Sequence, residues 1–308
     1  MEKPLVSIIV PTYNVERYIE ECIDALLAQT YPNTEIIVLD DASTDATVYL
    51  LKQYTEEIIL IENEKNEGQG ARRNQGLQIA KGKYIYFMDA DDWLEKEALE
   101  ELVSQAEDTH AELVRFNGTA FYQGDQALIR ENNYDFSGML ENNMLYKGEE
   151  ALLKNRKAFN PSPCLYLVNK AVIDLNDLSF IEGVLHEDEY FTTVLFANTQ
   201  SMTYLNKNYY HRRYRTASTM TEQTKQHKLR SFNSYIKVFQ ALEAEYKLSD
   251  YSKLQKQFIK RQLLSIYNAL VVSDVHPEMK RQLKQFKTVT FKDKLFVLGA
   301  RLKQHLER

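Results

Sequence analysis

Four short, mostly apolar runs set the pattern of the first part of the chain: Val6 to Val10, Glu35 to Leu39, Ile58 to Ile61 and Tyr84 to Met88, each bounded by polar or turn-forming residues. Runs of this length, rich in β-branched and aromatic side chains, predict central strands buried on both faces. Between them the apolar period becomes helical. Tyr18, Ile19, Cys22, Ile23 and Leu26 fall on one helix face, and a second helix is expected after Ser43 as its N-cap. A third helix opens at Gly68 and Gly70, runs to Ala80 and is closed by Gly82 in the manner of a C-terminal glycine. The order β-α-β-α-β-α-β predicts an α/β fold: a Rossmann-like, mostly parallel central sheet flanked by helices.

Further on the pattern weakens. Residues 117–160, punctuated by Gly118, Gly124, Gly138 and Gly148 in a Tyr/Asn-rich stretch, predict short edge strands and a mobile loop. From about residue 225 glycine almost disappears and Phe258, Leu263, Leu264 and Tyr267 recur at helical spacing, so the C-terminal region is expected to be helical. Hydrophobic residues at 44% and charged residues at 27% are ordinary for a globular protein and exclude a disordered or collagen-like chain.

Charge divides the chain. Residues 251–308 hold 13 Lys and Arg against 4 Asp and Glu, whereas the rest holds 25 against 40. The basic tail suits an anionic membrane surface, the acidic face of a second subunit, or plain solvation. Nucleic-acid binding is excluded for the acidic remainder. Two cysteines, Cys22 and Cys164, sit among apolar neighbours, and no apolar run approaches the roughly 20 residues that span a bilayer. A cytoplasmic address is expected, with peripheral contact on the inner membrane face left open.

The chemistry gathers at strand ends, where open α/β sheets bind ligands. The first strand runs into Pro11-Thr12-Tyr13-Asn14, the second into Asp40-Asp41 and the fourth into Asp89-Ala90-Asp91-Asp92. Acids at one strand end would repel a diphosphate unless a hard divalent cation stands between them, so a metal is implied. The competing reading makes these acids turn formers and helix caps, a role expected of Asp92, Asn14 and Asn74. Trp93 is expected to anchor the acidic loop. His186 and His211 read as surface histidines before metal ligands.

With Asp40-Asp41-Ala42-Ser43-Thr44-Asp45, Gly68-Gln69-Gly70-Ala71-Arg72-Arg73-Asn74 and Glu187-Asp188-Glu189-Tyr190-Phe191 added in this order, the chain resembles the family 2 glycosyltransferases of GT-A fold. The resemblance implies an inverting enzyme of the bacterial surface-polysaccharide or glycan biosynthesis type. The similarity covers about the first 220 residues. It implies a catalytic domain over 1–222, with a nucleotide-sugar half to about 115 and an acceptor half from about 116, followed by a basic helical region over 223–308.

The resemblance also implies roles. Asp41 would read the nucleobase, with Thr12 and Tyr13 lining its pocket and Asp40 supporting the turn. Asp89 would contact the ribose or metal shell, Asp91 would ligate Mn²⁺ or Mg²⁺ against the phosphates, and Arg73 would add positive charge to the crevice. Arg212, Arg213 and Ser218 would close over the diphosphate, although His211 stands where an aromatic is common and a glycine is missing before Ser218. Asp188 would be the general base, at the start of a helix whose dipole favours its charged form, with Glu187 orienting the acceptor or fixing a loop. The donor implied is a UDP-sugar, with GDP or dTDP sugars next. The acceptor is a glycan, lipid-linked before protein-linked, and a homo-oligomer is left open. A catalytically silent sugar- or nucleotide-binding scaffold is the rival from another class. A nucleotidyltransferase would want a glycine-rich basic loop after the first strand, and a dehydrogenase G-x-G-x-x-G there; neither is present.

Overall fold

A computed structural model describes residues 3–122, 134–214 and 224–306, side chains from 300 onward and that of residue 122 excepted. The chain begins with β1 (Val6–Thr12), α1 (Ile19–Leu27), β2 (Thr34–Asp40), α2 (Thr47–Leu51), β3 (Ile59–Glu62), α3 (Gln69–Ile79) and β4 (Tyr84–Phe87). There follow β5 (Trp93–Leu94), α4 (Ala98–Thr109), β6 (Leu113–Tyr122), β7 (Tyr146–Lys147), α5 (Gly148–Lys157), β8 (Tyr166–Asn169), α6 (Lys170–Leu175), α7 (Glu187–Asn198) and β9 (Ser201–Tyr214).

Every residue of β1 is buried, and it forms the hub of the sheet. β2 runs parallel on one side, with Thr12 level with Asp40, and β4 runs parallel on the other, with Ile9 level with Phe87. This register delivers the ends of three strands to one rim. Past β4 the sheet is mixed, in the order β3-β2-β1-β4-β8-β6-β9-β5 with β7 also on β9. β8 is antiparallel to both neighbours, while β6 and β9 run parallel.

Several expectations need correcting. β3 is a half-exposed edge strand, because only β2 pairs with it. Ser43 caps no helix: α2 starts after Ala46 without a side-chain cap, and the Ser43 hydroxyl donates to Asp40 instead. Gly82 does not end α3. It is where the chain passes β1, and an added Cβ would lie 2.6 Å from the Ser7 nitrogen. β6 is no edge strand but a ten-residue interior one. β7 in the same stretch is the short edge strand expected there, paired among the described residues with β9 alone, and α5 follows it. The mobile loop expected there lies outside the described residues where it falls on 123–133. Gly118 permits β6 to approach β9, since its Cβ would stand 2.9 Å from the Tyr210 carbonyl oxygen.

Two compact units emerge: Met1–Gly183 with Glu187–Thr221, and Val184–His186 with Glu222–Arg308. The second is built on α8 (Lys225–Lys247) and α9 (Lys253–Val272), followed by a 3-10 turn over Met279–Gln285 and α10 (Phe291–Leu306). A capping box between Ser252 and Gln255 starts α9. Phe239 and Phe286 stack at 3.8 Å in its core. In this unit Leu185 donates its amide to Ser234 and the His186 ring stacks on Tyr235.

Candidate active site

At the end of β2, Asp40 is spent on the turn. Its carboxylate accepts from the Ser43 amide at 2.9 Å, the Ser43 hydroxyl at 2.5 Å and the Thr12 hydroxyl at 3.2 Å. Ala42 adopts a positive φ of 62°, an uncommon conformation that these bonds hold in place. Asn14 ties this turn to the loop after β1 by accepting from the Thr44 amide at 2.8 Å, rather than by capping a helix. Asp41 is buried beside it. Its two oxygens accept from the backbone amides of Glu67 and Gly68 at 2.9 and 2.8 Å, and the Arg72 guanidinium stands 3.1 Å away. Tyr13, next to buried Thr12, is 46% exposed.

The end of β4 carries three acids with different environments. Asp92 is buried, accepts from the Arg213 amide at 2.6 Å and from the Tyr210 hydroxyl, and is pushed well above the usual carboxylate range by burial, then by Asp91 and Asp89. It therefore anchors the loop. Asp89 and Asp91 remain partly exposed. Trp93 lies flat on His211 at 3.6 Å, and that imidazole is engaged by Thr119 and Glu95, both at 2.9 Å. His186 bonds Ser231 at 2.8 Å, and burial pushes it down to about 4.

Helix α3 connects this strand end to the start of α7. Gly68 precedes it with φ of 91°, a conformation glycine adopts without strain. Arg73, buried, donates to Asp89 at 2.8 Å and to Glu187 at 2.7 Å, so one guanidinium holds an acid from each element. Gly70 lets the two approach: a Cβ there would stand 2.9 Å from the Ile181 carbonyl oxygen and 3.1 Å from Glu187 Cγ. Asn74 lies inside α3, where no cap is needed. Its side chain instead clamps the backbone of Phe180, accepting from the nitrogen at 2.7 Å and donating to the oxygen at 2.9 Å.

The first turn of α7 holds Glu187, Asp188 and Glu189. Burial pushes Glu187 up to about 7 against the opposing pull of Arg73, and pushes Glu189 up to about 8. Asp188, partly exposed, is also raised by burial, with Arg73 again opposing. Its carboxylate accepts from the Glu189 amide at 3.0 Å.

Arg212 and Arg213 part company. Arg213 is buried, lies over the rings of Tyr18 and Phe121, and bonds Glu21 at 2.5 Å and the Asp91 carbonyl at 2.9 Å. These contacts hold the acidic loop from behind. Arg212 reaches the Tyr134 hydroxyl at 3.1 Å. Ser218 lies outside the described residues. Sequence reasoning marks the run 68–74 as a motif, but it takes Gly70 only as a helix opener and Asn74 as a cap, and it gives no site role to Arg72 or Tyr210.

Mg²⁺ or Mn²⁺ takes hard oxygen ligands, usually one or two carboxylates completed by phosphate and water. Among the described residues no group of three His, Cys, Asp or Glu could hold an ion by itself. Partly exposed Asp89 and Asp91 beside a locked Asp92 fit an ion that shares its shell with a diphosphate.

Residues 7–175 match the model of glycosyl transferase family 2. Glycosyltransferase GlyA of Streptococcus pneumoniae is 34% identical over 224 residues, 69% of this chain and 31% of that protein, so the match spans about a third of the relative's length. Among solved structures, S. aureus TarS 1–349 in complex with UDP-GlcNAc superposes with a TM-score of 0.68 at 24% identity, covering 87% of this chain and 73% of that one. Mannosyltransferase PcManGT from Pyrobaculum calidifontis, in complex with GDP-Man and Mn²⁺, gives 0.58 at 16%, covering 100% and 88%. These two likenesses concern the fold, a GT-A type.

Proposed function

The chain belongs to glycosyl transferase family 2 and is a glycosyltransferase, and from this premise we propose that it transfers a sugar with inversion from a UDP-sugar to a hydroxyl of a glycan, lipid-linked in preference to protein-linked. The observation that carries the reading is the Arg73 bridge, which makes the acidic end of β4 and the acidic start of α7 neighbours. One side of the crevice would hold the donor's diphosphate and the other the acceptor. The two solved neighbours are complexes with UDP-GlcNAc and with GDP-Man, which supports a nucleotide-sugar donor; uracil is our choice from the sequence resemblance.

Asp41, with Thr12 and Tyr13, would form the base pocket, its carboxylate oriented by two backbone amides and Arg72. Asp91, with Asp89 beside it, would hold Mn²⁺ or Mg²⁺. Such an ion, when bound, neutralises the charge that builds on the departing diphosphate. Arg73 would act from behind, as the cation that keeps Asp89 and Glu187 in register, and Arg213 as the brace of the acidic loop. Arg212 would serve the donor side together with Ser218.

Asp188 would accept the proton of the acceptor hydroxyl. As it does so, the oxygen forms its bond to the anomeric carbon while the bond from that carbon to the phosphate oxygen breaks, and no covalent sugar–enzyme species forms. The base must be ionised to act, and Arg73 favours that form.

Two substitutions separate the roles. Asp188→Asn is expected to keep donor affinity within about twofold while transfer falls by about 10²–10⁴. Asp91→Ala is expected to lose the metal-dependent part of donor binding. Calorimetric titration of UDP with and without Mn²⁺, beside a transfer assay, reads both. Undiminished transfer by the Asn variant would remove Asp188 from its role.

A further inference from the structure

Helix α10 of the second unit is oriented by its first turn. Asp293 accepts from the Thr290 amide and hydroxyl, both at 2.8 Å, and pairs with Lys260 of α9 at 2.8 Å, while Val297, four residues on, is buried. These contacts turn one face of the helix inward. At 100° per residue the opposite face carries Phe291, Leu295 and Leu298. They are exposed at 76%, 53% and 50%. Lys292 and Lys294 flank the stripe. An apolar stripe turned to solvent reverses the usual amphipathic arrangement and calls for an occupant.

We propose that this face of α10 docks on an anionic lipid surface, with the apolar side chains entering the acyl boundary and the lysines meeting the headgroups. Charge selects this occupant. The region 251–308 holds 13 Lys and Arg against 4 Asp and Glu, which an anionic bilayer complements and a neutral one does not. A second copy is the weaker occupant, because stable protein interfaces use about 20–30 residues a side and this stripe offers a handful. The inference is independent of the catalytic roles above.

The test is sedimentation of the full chain with vesicles of phosphatidylcholine alone and of an equal mixture with phosphatidylglycerol, at low and high salt. Binding to the mixed vesicles only, weakened by salt, is expected. It should fall about tenfold or more in the triple variant Phe291→Ser, Leu295→Ser, Leu298→Ser and likewise in Lys292→Glu with Lys294→Glu. All five positions flank or form the solvent-facing stripe, so melting temperatures should be unchanged, and the lysine pair supplies the answer should the serine variant fold poorly. Equal binding to both vesicle types, or undiminished binding by a folded variant, overturns the proposal. So does a dimer in solution that the triple variant converts to monomer, which would give the face to a second copy.

Discussion

At Arg73 two carboxylates far apart in sequence share one buried cation, and the consequences reach Asp188, the proposed base. Burial raises Asp188 above its ordinary range and Arg73 opposes the rise. A base works only when ionised, so the acid limb of kcat/KM should lie above the usual aspartate range, with activity lost as pH falls through it. Arg73→Gln removes the opposing charge and should move that limb to higher pH. A pH–rate profile of the variant against the wild type reads the shift, and an unmoved limb would separate Arg73 from the base. Single residues are also where sequence reading was least complete. That Asp40, Asp41, Asp89 and Asp91 stand at strand ends follows from local pattern. That Arg73 faces two acids and Asn74 a backbone does not, because those partners lie more than a hundred residues away or on another element.

Helix α3 is the element on which the site turns. Its glycines do separate jobs. Gly76 rests on β1, where an added Cβ would meet Ile9 Cγ2 at 2.5 Å, so Gly76→Ala should cost about 1–3 kcal/mol of stability in a thermal or denaturant melt. Gly70→Ala would push on the Ile181 carbonyl and hence on the segment leading to Glu187. Its expected signature is a kcat reduced by as much as about 100-fold with donor affinity kept, since small displacements of a catalytic group are costly. A loss confined to donor binding would contradict that. The parallel β1–β4 half was legible because each strand is a short, mostly apolar run bounded by polar or turn residues. β3 misled because a short apolar run does not reveal how many neighbours it has. β6 misled because Gly118 and its polar neighbours look like a loop until β9, supplied much later in the chain, lies alongside.

The whole molecule comprises a larger α/β unit and a smaller helical one, and no described helix is long and apolar enough to cross a membrane. What the sequence withheld at this scale, donor identity above all, depends on pocket shape rather than on pattern. A thermal-shift panel of nucleotide sugars with Mn²⁺ addresses it. A donor at about 100 times its Kd should add about 2.7 kcal/mol, raising the melting temperature by several degrees, with UDP-sugars ahead of GDP- or dTDP-sugars.

The central claim is that a cation-bound diphosphate at the end of β4 faces a base at the start of α7. Anomalous diffraction at the manganese edge, from crystals of the chain grown with UDP and Mn²⁺, tests it most directly. The predicted result is a peak within ligand distance of Asp91 and of both phosphates, with the Asp188 carboxylate across the space left for the sugar. A peak away from Asp91, or Asp188 turned into a different cavity, would contradict it.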